Sequence, residues 1–245
     1  MSEILFCGDP HGEFRHIIRV ARERRPHAVI LLGDLQPLRP LHEELEEIWD
    51  KVWFIHGNHD TDSDTYAERV FNEESGARNL HGRVVTLDNG LRIAGLGGVF
   101  RESVWYPPAL ARHDSRDSHA LATPVYDRWE GGPPRRHWSS VHAAEVDVLA
   151  ATEADILVTH EAPSCHPRGF AVIDDLARAM KVRQSFHGHH HDRLDYSKQW
   201  ARLGFEARGV GLRGVSNQDG ELVVLGELDH ARQNRFRLMG EEEDE

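Results

Sequence analysis

A chain of 245 residues with 39% hydrophobic residues can build one large domain around a real core. Its formal charge of -12 opposes non-specific binding to a nucleic-acid backbone, which requires clustered Lys and Arg. No apolar run reaches the roughly 18 residues of a membrane-spanning helix, and two cysteines, Cys7 and Cys165, are too few for a disulfide framework and fit a reducing compartment.

Met1 to Phe6 leads straight into a strand-like run at Ile4 to Cys7, leaving no room for a cleavable leader, so a cytoplasmic location is expected. The turn-rich Gly8-Asp9-Pro10-His11-Gly12 follows. Phe14, Ile17, Ile18 and Ala21 then recur at helical spacing, predicting a helix over Glu13 to about Arg24. Ala28 to Leu32 reads as a second buried strand, ending at Gly33-Asp34. Leu41, Leu45, Ile48 and Trp49 mark a second helix, and Val52 to Ile55 a third strand ending at His56-Gly57-Asn58-His59-Asp60. Strands alternating with helices predict a sheet with helices packed against it, and ligands of such sheets bind at loops beyond the strands' carboxyl ends.

Val84 to Leu87 and Leu91 to Leu96, joined by Asp88-Asn89-Gly90, predict a β-hairpin. From about Arg101 to Ser140 the rhythm breaks into a stretch rich in Pro, Gly, Trp and Arg. This reads as an irregular, cap-like insertion that helps select substrate, with Arg101, Arg112 and Arg116 as candidate phosphate contacts. A helix is expected over Val141 to Ala151, a strand over Ile156 to Val158 ahead of His160, and a helix over Ile173 to Met180. A strand over Val182 to Phe186 then leads to Gly188-His189-His190-His191. Gly209 to Val215 and Leu222 to Leu225 read as closing antiparallel strands with turns at Asn217 and Gly220. Residues 1–240 are taken as a single domain and residues 241–245 as a solvating acidic tail.

Five strand ends thus carry Asp9 and His11, Asp34, Asn58 and His59, His160, and His189 and His191. Carboxylate, amide oxygen and imidazole together suit divalent ions such as Mn, Fe, Zn or Ni. In Asp9-x-His11, extended residues two apart point to one side and reach one ion, and the same holds for His189 and His191 where the backbone is extended. Any one of these residues alone reads as a helix cap, a turn residue or a solvated histidine. Cys7 belongs with the core by its strand position, and Cys165 reads as an inert loop cysteine.

The ordered set Asp-x-His, Gly-Asp, Gly-Asn-His-Asp, a lone His and Gly-His-x-His, from about residue 4 to 192, resembles the calcineurin-like metallophosphoesterases. The resemblance implies a four-layer α/β/β/α sandwich of two packed mixed sheets. It implies two divalent metal ions, manganese first, with iron, nickel, zinc or magnesium as alternatives. Asp9, His11 and His191 would hold one ion and Asn58, His160 and His189 the other, with Asp34 bridging. His59 would contact the phosphoryl group and protonate the leaving alcohol, while His190 would point away.

Water between two ions ~3.5–4 Å apart becomes a hydroxide near neutral pH and attacks phosphorus in line. The expected activity is hydrolysis of phosphomonoesters or phosphodiesters of small molecules such as nucleotides. Two departures from the family pattern matter. Many relatives orient the acid histidine with an Asp three residues beyond the bridging Asp; here that position is Pro37, and Asp60 is the substitute on paper. The protein Ser/Thr phosphatases follow the bridging Asp with Asp-Arg-Gly, whereas this chain reads Asp34-Leu35-Gln36-Pro37. A protein phosphatase is therefore the weaker alternative, beside a non-catalytic scaffold retaining the fold and, disfavoured by charge, a nuclease.

Overall fold

The computed structural model describes residues 3–232; the acidic run at 241–245 lies outside the described residues. The strands are β1 (Ile4–Cys7), β2 (Ala28–Leu32), β3 (Val52–Ile55), β4 (Arg83–Thr86), β5 (Arg92–Leu96), β6 (Ile156–Thr159), β7 (Gln184–His187), β8 (Glu206–Gly209), β9 (Val215–Asn217) and β10 (Leu222–Val224). The helices are α1 (Arg15–Arg24), α2 (Leu41–Glu44), α3 (Asp64–Val70), α4 (Glu73–Gly76), α5 (Arg116–Ala122), α6 (Ala143–Ala150), α7 (Ala171–Ala179) and α8 (Trp200–Leu203).

Two five-stranded sheets form, in the orders β10-β9-β1-β2-β3 and β4-β5-β6-β7-β8. Each is mixed: β1, β2 and β3 run parallel with β9 antiparallel to β1, and β5 to β8 run parallel with β4 antiparallel to β5. Alternation along the strands explains the layering. In β1, Leu5 and Cys7 join Ile17, Val20 and Ala21 of α1 on one face, while Ile4 and Phe6 turn to the other. There they meet Ile93, Ile156, Val158 and Phe186 of the second sheet, with Phe6 stacked on Phe186 at 3.7 Å. The second sheet's outer face packs Leu157 and Ala207 against Val146 and Leu149 of α6 and Ile173, Leu176 and Ala177 of α7. The result is the expected helix, sheet, sheet, helix stack.

Local chemistry accounts for where the elements differ from their sequence expectation. The second helix splits into α2, entered from Pro40, and a 3-10 turn at Glu46–Lys51, because Leu45 leaves helical backbone at φ -113, ψ 19. α3 and α4 start at Ser63 and Asn72, whose side chains accept from the backbone N–H of Tyr66 and Ser75. The stretch from 101 to 140 is not wholly irregular: α5 opens with a Ser115/Ser118 capping box, and 3-10 turns lie at Val125–Asp127 and Arg135–Ser139. Trp129 and Trp138 pack it onto Phe71 just past α3.

The apolar run at Gly209 to Val215 is not one strand. β8 ends at Gly209 and runs parallel to β7, residues 210–214 cross between sheets, and β9 begins at Val215 antiparallel to β1. The turn between β9 and β10 falls at Asn217 and Gly220 as expected, and the Asn89-Gly90 hairpin joins β4 to β5.

Candidate metal centre

β1, β2, β3, β6 and β7 each end in one of the polar loops, and parallel pairing brings these ends to one edge of the sandwich. Backbone bonds from His11 N–H to Asp34 O (2.9 Å) and Gly12 N–H to Leu35 O (2.8 Å) lock the first two loops together. Buried Asp60 locks the second to the third, accepting from the N–H groups of Leu35 (2.7 Å), Gln36 (2.8 Å) and Gly57 (2.8 Å). Asp9 accepts from His189 N–H at 3.0 Å and so reaches the fifth. The approach is too close for side chains: a Cβ on Gly33 would run into the His160 ring, and one on Gly57 into the Asp34 carboxylate.

Two groups of donor atoms emerge, His11 with Asp34 and His191, and Asp34 with His160 and His189; within each, the ligand atoms lie within 4.8 Å of one another. Asp34 belongs to both. Asn58 Oδ1 sits 3.2 Å from His160 Nε2, which places the amide oxygen in the second group. Asp9 Oδ1 lies 3.8 Å from His160 Nδ1, outside both compact groups but in the same cluster. Seven side chains from five loops therefore converge.

The hydrogen bonds fix which nitrogens face inward. A carbonyl oxygen only accepts, so His160 Nδ1 donates to Leu32 O (2.7 Å) and turns Nε2 inward. His11 Nδ1 donates to Gln36 Oε1 (2.6 Å), leaving Nε2 3.1 Å from His191 Nε2. Rings held this way aim one nitrogen each at a common point, where a cation would take the lone pair in place of any proton. Burial keeps His189 and His191 uncharged, pushing them down to about 3 and about 4.

Burial also raises Asp9, whereas Asp34, which burial alone would raise, is held below the usual carboxylate range chiefly by His160. Burial lowers His160, but Asp34 and Asp9 outweigh it and hold its proton up to about 10. A cation bound here would displace the protons that Asp9 and His160 otherwise hold against the ionised Asp34. Asp9 Oδ2 and Asp34 Oδ2 are buried with no hydrogen-bond partner. Such a donor set of imidazoles and carboxylates fits divalent cations.

His59 lies beside this cluster, its backbone N–H on Asp34 Oδ1 at 2.8 Å and its ring half-exposed. Its Nδ1 bonds Asp62 Oδ2 at 2.6 Å, so Asp62, not Asp60, is its acceptor. Sequence reasoning missed Asp62 because no family position points to it, although the i, i+3 spacing was visible. It also missed Gln36, whose role depends on the His11 ring. Burial lowers the His59 pKa, but the Asp62 hydrogen bond and Asp34 raise it above the ordinary value.

Of the three arginines, Arg101 lies within electrostatic reach of Glu161, Asp62 and Asp34, with Nη1 donating to Ser139 O and Ser140 Oγ. Arg112 is exposed, and Arg116 is engaged by Trp138 O, Glu145 and the Trp138 ring. His190 stacks on His166 at 3.8 Å and joins neither donor group.

The chain belongs to the family described as calcineurin-like phosphoesterase, which it matches over residues 2–193. Membership implies metal-dependent hydrolysis of phosphoesters. An uncharacterized protein of Haemophilus influenzae is 40% identical over 223 residues, covering 90% of this chain and 96% of that protein. The fold is similar to the crystal structure of TT1561 of Thermus thermophilus, at a TM-score of 0.56 and 14% identity over 92% of this chain and 98% of that one. A second solved structure matches at a TM-score of 0.53 and 11% identity, with the same coverage. Among the described residues no helix is long and apolar enough to cross a membrane.

Proposed function

We propose that this protein hydrolyses a small phosphomonoester or phosphodiester, such as a nucleotide, with two divalent cations, manganese first, as cofactors. The observation that carries the reading is the position of Asp34 in both donor groups, where one carboxylate would serve two ions. Asp9, His11 and His191 would hold the first, and Asn58, His160 and His189 the second. When bound, such a pair supplies a water acidic enough to attack phosphorus near neutral pH, and positive charge against the phosphoryl oxygens.

The chain's own residues do the rest. Gln36 and the Leu32 carbonyl hold the His11 and His160 rings in the ligating tautomer. The His59 imidazolium, oriented by Asp62, gives its proton to the leaving oxygen and takes one back before the next cycle. Arg101 adds positive potential beside the phosphoryl group. The reading takes the location to be the cytoplasm, and the net charge of -12 opposes a nucleic-acid substrate.

The test is turnover of aryl phosphate, bis-aryl phosphate, nucleotides and a phosphopeptide by purified protein reconstituted with Mn, Fe, Ni, Zn or Mg. Metal-dependent turnover of a small ester is expected, lost on Asp34→Asn. Added cation should also raise the melting temperature of the wild type and not that of Asp34→Asn. A protein that melts identically with and without every cation, and turns over nothing, would overturn the reading.

A further inference from the structure

The sandwich has an unfilled edge away from the centre. There β8, the last strand of the second sheet, reaches the β9–β10 turn of the first through Arg208 Nη2, which donates to Asp219 O (3.4 Å), beside bonds from Gln184 Nε2 of β7 to Gln218 O (3.0 Å) and from Arg193 Nη2 to Gly220 O (3.0 Å). The apolar filling between the sheets ends at Phe186 and Val210. A cavity of about 1050 Å³ opens at this edge, and none of the seven candidate ligands lines it. Its size is that of a site for an organic ligand, typically about 300–1,000 Å³.

Strand alternation sets two polar side chains where a sandwich would carry apolar ones. Val215 faces the helix layer, so Ser216 turns into the gap between sheets; it is 2% exposed, and its Oγ has no hydrogen-bond partner. Ala207 likewise faces the outer helices, so Arg208 turns inward. Its guanidinium lies 5.7 Å from the Phe186 ring and 5.1 Å from the Trp200 ring. Nη2 pairs with Glu206 at 2.7 Å, but Nη1 is buried without a partner. Buried donors left unpaired are rare in folded proteins, and two on one cavity wall call for an acceptor.

The remaining lining defines that acceptor. Arg193, Lys198 and Arg208 are met by Asp195, Asp219 and the Glu206 that pairs with Arg208, so the site is close to charge balance in a chain whose net charge is -12, and Arg208 Nη1 is the donor left to engage an anion. Trp200 and Tyr196 supply flat apolar wall. An arginine, a hydroxyl and aromatic surface together recognise an anionic head on an aromatic body.

We propose that this cavity binds a phosphorylated aromatic molecule of nucleoside-monophosphate size, its phosphate on Arg208 and Ser216 and its ring on the Trp200 wall. The site is separate from the candidate metal centre and stands whether or not that centre proves hydrolytic.

The experiment titrates the full chain, stripped of divalent cations by a chelator, with adenosine monophosphate by calorimetry, with inorganic phosphate and adenosine as separate arms. Saturable binding at one site is expected, with each half-molecule at least tenfold weaker. Arg208→Gln should weaken it tenfold or more and Ser216→Ala severalfold, whereas Asp34→Asn should leave it unchanged. If Arg208→Gln does not fold, Lys198→Glu, at an exposed position, should weaken binding severalfold. No saturable binding by the wild type overturns the proposal, as does affinity lost in Asp34→Asn but kept in the cavity variants. Inorganic phosphate binding as tightly as the nucleotide overturns it too.

Discussion

Asp62 stands three residues beyond His59 and accepts a hydrogen bond from its Nδ1 at 2.6 Å, which leaves Nε2 as the proton donor. If His59 protonates the leaving oxygen, its loss matters most where that oxygen is a strong base. Asp62→Asn should therefore lower kcat about tenfold to a hundredfold on an alkyl phosphate and little on a nitrophenyl phosphate, less than the whole ~10²–10⁴-fold that a general acid supplies because the His59 ring remains. Equal losses on both substrates would remove Asp62 from proton transfer. Asp60, the nearer candidate by sequence, is spent on three backbone N–H groups. Asp60→Ala is predicted to loosen the Asp34 and Asn58 loops and to reduce cation affinity, read by calorimetry with Mn.

At the level of the elements, the loops are built from backbone that side chains rarely adopt. Asp9, His11, Asp34, His189 and His191 all have φ between 38 and 68. The expectation of extended Asp9-x-His11 and His189-x-His191 segments therefore fails, although the side chains still converge. Each left-handed residue costs about 1–3 kcal/mol, held by the cross-loop hydrogen bonds.

The segment from 101 to 140 clamps the His59 loop through Arg135, which donates to the carbonyls of Thr61 (3.1 Å) and Asp62 (3.2 Å). It is itself held by uncharged histidines. Burial first, and then His113 and neighbouring charge, bring His119 down to about 4; burial, Arg101 and Arg136 do the same for His137. Unfolded, these rings take protons near 6.5, while folded they refuse them until about 4. Between those values the unfolded state binds more protons, so stability falls as pH falls. Limited proteolysis should cut residues 101–140 faster at pH 5 than at pH 7, and His119→Gln should reduce the difference.

At the scale of the molecule, the site exists because two sheets are held face to face with their loop-bearing ends on one side. Phe6 and Phe186 stack across the interface, both fully buried. Phe186→Ala should cost about 3–5 kcal/mol in urea denaturation. The same variant removes the ring beneath Arg208, so it should weaken the proposed edge site beyond its effect on stability. The run Gly209 to Val215 shows the limit of pattern reading: one apolar stretch serves two sheets, because 210–214 carries the chain from β8 across to β9.

The sequence by itself determined the strand-loop-helix rhythm and the apolar alternation of the strands, which rest on local spacing, and the family resemblance of its five ordered motifs named the seven side chains that converge. Helix caps at Ser63, Asn72 and Ser115 are equally local, yet the sequence reading did not pick them out. Only the tertiary structure decided that Asp62 rather than Asp60 faces His59, that Gln36 sets the His11 ring, and that Arg116 is spent on Glu145 and Trp138. It alone opened the cavity behind Arg208 and Ser216. The physical reason is common to all four. Each depends on which groups from distant segments meet in three dimensions, and no periodicity along one strand carries that information.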